Sequence, residues 1–249
     1  MRIYLAGTEC LLRYIDDILK TSNMYVLASF FSMNKMFSEY IPYFKDFMLD
    51  SGAFSFMNSS VSNIDWNKYV EKYANFINEN NIKKFYELDI DIIAGYKKVK
   101  QYRDKLENLT QKQCIPVWHR TRGLEEFFNL CNKYNYIAIG GIAIGHIHQN
   151  EYKFFKYLIN EAHKRNCKIH GLGFTNLGGI KKYHFNSVDS CTWTGGGRWG
   201  YIYVFTGRTI ERKKISGKNT GFKVSNYKEL TRYNLEQWIK FQKYAEVHL

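Results

Sequence analysis

No run of about 18 apolar residues occurs in this 249-residue chain, so nothing in it has the length of a membrane-spanning helix. It also lacks any long polar tract. With 45% hydrophobic, 17% aromatic and 24% charged residues, the composition argues against disorder and for one sizeable core in a single large domain. The amino terminus, Met-Arg-Ile-Tyr-Leu-Ala-Gly, lacks the apolar core and small-residue cleavage site of a secretory signal, and the expectation is a cytoplasmic protein. Cys10, Cys114, Cys131, Cys167 and Cys191 are odd in number and scattered, with no C-x-x-C pair. That excludes a disulfide framework and a local zinc knuckle, and leaves structural thiols as the default.

Several familiar chemistries are missing as well. The triplet Gly195–Gly197 is not followed by the G-K-[ST] of a phosphate-binding loop, and Gly140-Gly141-Ile-Ala-Ile-Gly145 is not the G-x-G-x-x-G of a dinucleotide fold. Neither nucleotide cofactor is expected. His119, His146, His148, His163, His170 and His184 include no H-E-x-x-H or carboxylate-flanked pair, so no metal is expected either.

What the chain has is positive charge: 36 Lys and Arg against 23 Asp and Glu, a formal +13. Such an excess points to a polyanionic partner, most simply nucleic acid, because Lys and Arg displace counterions from phosphates. A lysine- and asparagine-rich composition inherited from an AT-rich genome would give the same excess without a ligand.

Short apolar runs recur at Arg2–Ala6, Tyr25–Phe30, Phe47–Asp50, Phe85–Asp89, Ile115–His119, Tyr136–Gly140, Lys168–Gly173 and Ser187–Cys191. Between them, Trp66, Tyr69, Val70, Tyr73 and Ile77, and then Leu124, Phe127, Phe128 and Cys131, repeat at helical steps. Strand and helix alternate, and the expected fold is an α/β (β/α)8 barrel, with a doubly wound open sheet as the alternative. After the last strand comes Thr192-Trp-Thr-Gly-Gly-Gly197-Arg-Trp-Gly200, then a hairpin from Tyr201 through the basic run Arg208 to Lys214. A closing helix carries Leu230, Tyr233, Leu235, Trp238, Ile239 and Phe241, so 198–249 reads as a hairpin and helix appended to the barrel.

In barrels of this kind, chemistry sits where strands end on the carboxyl-terminal face. The ends here are polar: Asp50-Ser-Gly-Ala, Asp89-Ile-Asp91, His119-Arg-Thr-Arg122, Gly140-Gly141, Gly171-Leu-Gly173 and Asp189-Ser-Cys-Thr. A lone aspartate is as readily a cap as a catalyst; Asp65, before Trp66, reads as a plain N-cap. Several converging on one pocket can divide labour, one ionised and nucleophilic, another protonated and able to give its proton away. Displacement at an anomeric carbon needs that pair.

The same segments carry a resemblance. Asp50-Ser-Gly-Ala-Phe resembles the D-S-G-G-F of tRNA-guanine transglycosylases, and Leu88-Asp89 resembles their base-reading aspartate. Ile139-Gly-Gly-Ile-Ala-Ile-Gly145 resembles G-G-L-A-V-G, and His170-Gly-Leu-Gly173 resembles H-x-x-G-x-G. Val188-Asp189-Ser, followed by Gly197-Arg198 and Phe205-Thr206, resembles the nucleophile strand and its arginine-bearing hairpin. The motifs keep their order over about residues 45 to 210. By resemblance, Asp189 is the nucleophile on C1′ and Asp50 the acid/base. Asp89, His119, Gly140, Gly141 and Gly173 form the base pocket, and Arg198 holds phosphate.

Three departures narrow the branch. The family's zinc module of three cysteines and a histidine is absent, and the chain is shorter than the tRNA enzymes. Pro116-Val-Trp-His119-Arg-Thr stands where G-x-V-Q-G-G contacts the base. The short, zinc-less relatives are viral and bacterial proteins that place 7-deazaguanine derivatives into DNA, and the resemblance implies that reaction, with free 7-deazaguanine as second substrate and no cofactor. Arg208, Arg212, Lys213 and Lys214, with Arg198 and Lys218, would grip phosphates in place of the missing module. The same exchange on tRNA, a hydrolytic nucleosidase or glycosidase, and a catalytically silent nucleic-acid-binding barrel are the alternatives.

Overall fold

The computed structural model describes residues 1–52, 55–56, 64–143, 145–196, 200–215 and 227–249. Strands β1 (Arg2–Ala6), β2 (Tyr25–Ser29), β3 (Asp46–Asp50), β4 (Val117–Trp118), β5 (Tyr136–Ile139), β6 (Lys168–Gly171) and β7 (Ser187–Ser190) form one parallel sheet in the order β3-β2-β1-β7-β6-β5-β4. Its two edges, β3 and β4, meet through residues 84–87. On one side, the Leu49 N–H donates to the Lys84 carbonyl at 3.0 Å and the Tyr86 N–H to that of Leu49 at 2.9 Å. On the other, the Ile115 N–H donates to the Phe85 carbonyl at 2.7 Å and the Glu87 N–H to that of Ile115 at 3.1 Å. Both bridges are parallel. At Glu87 a side chain replaces the ladder, since its Oε1 accepts the Val117 N–H at 2.9 Å. The sheet therefore curls into a ring whose remaining stave is this short bridging segment, the TIM-barrel architecture that the eight apolar runs imply.

Helices α1 (Leu12–Thr21), α2 (Lys35–Ser38), α3 (Trp66–Glu79), α4 (Asp91–Ala94), α5 (Tyr96–Thr110), α6 (Gly123–Lys133), α7 (Lys153–Lys164) and α8 (Leu177–Tyr183) follow the staves. Local chemistry sets their limits. Asp65 caps α3 by accepting the Lys68 N–H at 3.1 Å, and Val70, Tyr73, Ala74 and Ile77 make its buried stripe. Alternation along the strands fills two cores. Ile3 and Leu5 point at the helices, whereas Tyr4 joins Tyr25, Leu27, Met48, Tyr86, Val117 and Ala138 inside the ring. The lower barrel is thus a packed plug.

The antiparallel hairpin of β8 (Tyr201–Phe205) and β9 (Ile210–Lys214) precedes the long helix α9 (Tyr227–His248). The Tyr203 N–H donates to Asn234 Oδ1 at 2.8 Å and the Phe205 N–H to Gln237 Oε1 at 3.0 Å, so polar side chains of the helix complete the β8 edge. Further along α9, Gln242 Nε2 donates to the carbonyls of Ile3 and Tyr25 at 2.6 and 2.9 Å, while its Oε1 accepts the Tyr25 N–H at 3.1 Å. That buried amide stitches α9 to β1 and β2. The C-terminal helix is where the sequence implies it, and it also serves as the outer layer over the start of the barrel. Among the described residues, no helix is long and apolar enough to cross a membrane.

Candidate active site

At the carboxyl-terminal mouth, Asp50, Asp89, His119, Gly141, Gly173 and Asp189 line one cavity of about 280 Å³. These side chains and backbones come from the ends of six staves, which the ring brings round one opening. Gly140 lines an adjoining recess with His119. A Cβ there would stand 2.6 Å from His119 Cε1, so glycine is what lets the imidazole lie over β5. Gly173 has φ +69°, and that turn aims its N–H at Asp189.

Asp189 is buried, and its Oδ1 accepts the Gly173 N–H at 2.5 Å and lies 3.1 Å from His170 Nε2. Beneath it, His170 Nδ1 is 2.5 Å from Ser187 Oγ, which also bonds the Tyr136 hydroxyl. One assignment satisfies every member: Tyr136 donates to Ser187, Ser187 to Nδ1 of a neutral imidazole, and Nε2–H to Asp189. Both bonds to Asp189 fall on Oδ1, and Oδ2 takes no donor among the described residues. The carboxylate is oriented on one oxygen and left available on the other.

Asp50 has a different environment. Its Oδ2 accepts the Gly52 N–H at 2.9 Å, and no cation pairs with it among the described residues. Burial, opposed by that bond and reinforced by the charges of Asp89, Asp189 and Glu9, pushes its carboxyl up to about 7. Glu9, in the turn after β1, is itself buried and raised by desolvation, with Oε1 accepting the Ser29 N–H at 3.1 Å.

On the next two staves, where the bridging segment and β4 end, the carboxylates are matched. His119 Nε2 lies 2.7 and 2.8 Å from the two oxygens of Asp89. Burial favours the neutral ring, but the bond to Asp89 outweighs it and holds the imidazole above its ordinary pKa. Arg122 forks between Glu87, at 2.8 Å, and Asp91, at 2.5 and 2.7 Å, with Asp89 at 3.4 Å. Its guanidinium lies 4.1 Å over the Tyr96 ring, and Arg103 bonds the other Glu87 oxygen at 2.5 Å.

Of the residues expected to hold phosphate, Arg208, Arg212, Lys213 and Lys214 are exposed on the hairpin and line no described part of the cavity. Arg212 packs 5.2 Å over Tyr201. Arg198 and Lys218 lie outside the described residues. The sequence reading passed over Glu9, Glu87, Arg103 and the Tyr136–Ser187 pair. A signal existed for two of them: Glu87 interrupts an apolar strand run, and Arg103 shares the buried face of α5 with Val99, Leu106 and Thr110. A charge in such a place calls for a partner. Among the described residues, no group of three or more His, Cys, Asp or Glu side chains is arranged to hold a metal ion.

No protein-family model matches the chain, and no curated protein does. Among solved structures, one described as a fructose-1,6-biphosphate aldolase from Coccidioides immitis gives a TM-score of 0.53 at 9% identity, covering 97% of this chain and 87% of that one. The carboxyl transferase domain of Rhizobium etli pyruvate carboxylase, with pyruvate, gives 0.48 at 12% identity over 96% of this chain and 48% of that one, so this chain spans about half its length. The first likeness speaks for the fold alone, and the second carries no argument.

Proposed function

We propose that the protein is a base transglycosylase that exchanges guanine in DNA for a 7-deazaguanine derivative through a covalent aspartyl–nucleoside intermediate. The observation that carries this reading is the pairing, in one cavity, of an oriented aspartate with an uncommitted oxygen and a second aspartate that has no cation beside it among the described residues, whose carboxyl burial pushes up to about 7. Asp189 Oδ2 attacks C1′ as the C1′–N9 bond breaks, and the Asp50 carboxyl gives its proton to the departing guanine. The incoming base then delivers its ring proton to the Asp50 carboxylate while its nitrogen displaces Asp189 from C1′. Protons and bonds balance over the two steps, and configuration is retained by double displacement.

Asp89 would accept the purine N–H donors, held in place by His119 and Arg122, while the Gly140, Gly141 and Gly173 backbones allow close approach. The target nucleotide must leave its stack to reach a pocket at a barrel mouth. DNA is favoured over tRNA because the chain lacks the cysteine cluster of the tRNA enzymes it resembles. The test is mass spectrometry of nucleosides from total DNA and total tRNA of cells expressing the chain with a 7-deazaguanine supply. A deazaguanine nucleoside in DNA supports the reading; one confined to tRNA moves the same chemistry to that substrate. Abasic sites without exchange would make the protein a hydrolase.

A further inference from the structure

Concave surface continues outward from the mouth. The recess beside the cavity, where Arg120 and Ile147 sit near Gly140 and Gly141, shares those two side chains with a groove of about 550 Å³ between the first turns of α6 and α7. The size is that of a small-molecule site. Trp118 and Phe155 form its buried floor, and Leu124 and Phe154 stand in it at 39% and 41% exposure. The Phe154 ring stacks on Tyr157, 5.5 Å away at 25°, and Tyr157 is 45% exposed. Arg120, Lys153 and Asn150 make the rim, Lys156 is exposed one turn on, and Glu151, the acid in the groove, is paired with Arg120. Adjacent apolar side chains left in water beside a functional cavity mark a contact surface.

We propose that this groove is a nucleobase subsite, which takes a base of the substrate strand flanking the target nucleotide. The proposal rests on the transglycosylase reading and adds a second contact to it. Continuity decides the occupant: whatever lies in the groove is reached along an unbroken wall from the nucleotide in the mouth, and a polynucleotide is such an occupant. The chemistry agrees. Phe154 and Leu124 offer a flat apolar face to any base, and Arg120 and Lys153 stand over the phosphates between the two nucleotides, with Glu151 yielding Arg120 to them. Recognition by stacking is tolerant of base identity and belongs to single strands.

The experiment is fluorescence anisotropy with an end-labelled single-stranded DNA of about 12 nucleotides, using the wild-type chain, Phe154→Ala and, as a control for loss of an exposed aromatic elsewhere, Tyr43→Ala. Phe154→Ala is expected to weaken binding about 5- to 100-fold, and Tyr43→Ala by less than about twofold, both with unchanged melting. One abasic position beside the target should weaken wild type by the same factor as Phe154→Ala and weaken that variant no further. A variant that binds like wild type, or an abasic scan alike in both proteins, overturns the subsite and leaves the exchange reading standing. If the wild type binds neither this DNA nor tRNA, both fall. Should Phe154→Ala weaken binding of free 7-deazaguanine but not of DNA, the groove belongs to the second substrate and the proposal is overturned.

Discussion

Two sets of carboxylates lie close together at the carboxyl-terminal end of this barrel, Asp50 on the stave next to the one that carries Glu87 and Asp89. Glu87, Asp89 and Asp91 are matched by Arg103, Arg122 and His119, so each is fixed in place. Half-buried Asp50 and buried Glu9 have no cation beside them among the described residues, and both are raised by desolvation. Asp189 stands between these cases, oriented by a backbone N–H and an imidazole. The difference teaches what each side is fit for. Carboxylates held by several cationic donors make a rigid surface for recognition, because those bonds fix where their oxygens point. An uncompensated one exchanges protons near neutral pH.

The comparison breaks most visibly at Asp189. Asp189→Asn keeps the shape and the Oδ1 acceptor but not the anion, and exchange should fall by about 10⁴-fold while nucleic-acid binding and melting stay as they are. Asp50→Asn should lose exchange comparably yet still form a weak adduct on denaturing gels, whereas Asp189→Asn forms none. Near-native exchange by Asp189→Asn removes it from the mechanism.

On the compensated side the expected loss is stability. Arg122→Met leaves buried Glu87 and half-buried Asp91 beside an uncharged side chain, at a cost of about 3–5 kcal/mol in urea denaturation. A loss under about 1 kcal/mol would mean that solvent already screens the cluster as it does surface pairs.

The uncompensated side should show itself in pH dependence. With Asp50 titrating at about 7, the rate should fall as pH rises through that value, because the acid is spent. Glu9→Gln removes a negative neighbour, so the alkaline limb should move to lower pH. Linkage gives a second reading. The folded pKa of Asp50 exceeds the unfolded value of about 3.9, so its contribution to stability is complete below that value and is lost as pH rises through about 7. Asp50→Asn should therefore gain melting temperature relative to wild type between about pH 5 and pH 8; a constant difference contradicts the raised pKa.

The smallest effect belongs to the hairpin, whose cations are exposed and do not line the described cavity. Neutralising Arg212, Lys213 and Lys214 together should weaken binding to all sequences alike and flatten the slope of log K against log salt by up to about 0.9 per lost contact on a duplex. An unchanged slope with unchanged affinity puts the nucleic acid elsewhere.

Much of this was legible in the sequence because a parallel barrel writes each stave as a nearly continuous apolar run, and each of those runs lies on the ring. The apolar run Phe85–Asp89 has the pattern of an ordinary strand, yet it pairs through isolated bridges, and Glu87 spends its side chain on the neighbouring backbone. The aspartates of the cavity, Asp50, Asp89 and Asp189, stood out by position at strand ends. Their partners did not. Glu9 and Ser29 meet where neighbouring β1 and β2 end, and Ser187 and Tyr136 meet inside the ring, contacts set by how the strands are placed side by side rather than by any spacing along the chain. The role of Gln242 was hidden for the same reason: a polar residue on the apolar face of α9 makes sense only once β1 and β2 lie beneath it.

Incorporation of isotope-labelled guanine tests the central claim most directly. Purified protein, incubated with single-stranded DNA or with tRNA and labelled free guanine, should transfer label into the polymer, with wild type active, Asp189→Asn silent and DNA the better acceptor. A folded wild-type protein that binds the polymer yet leaves both DNA and tRNA unlabelled contradicts the account.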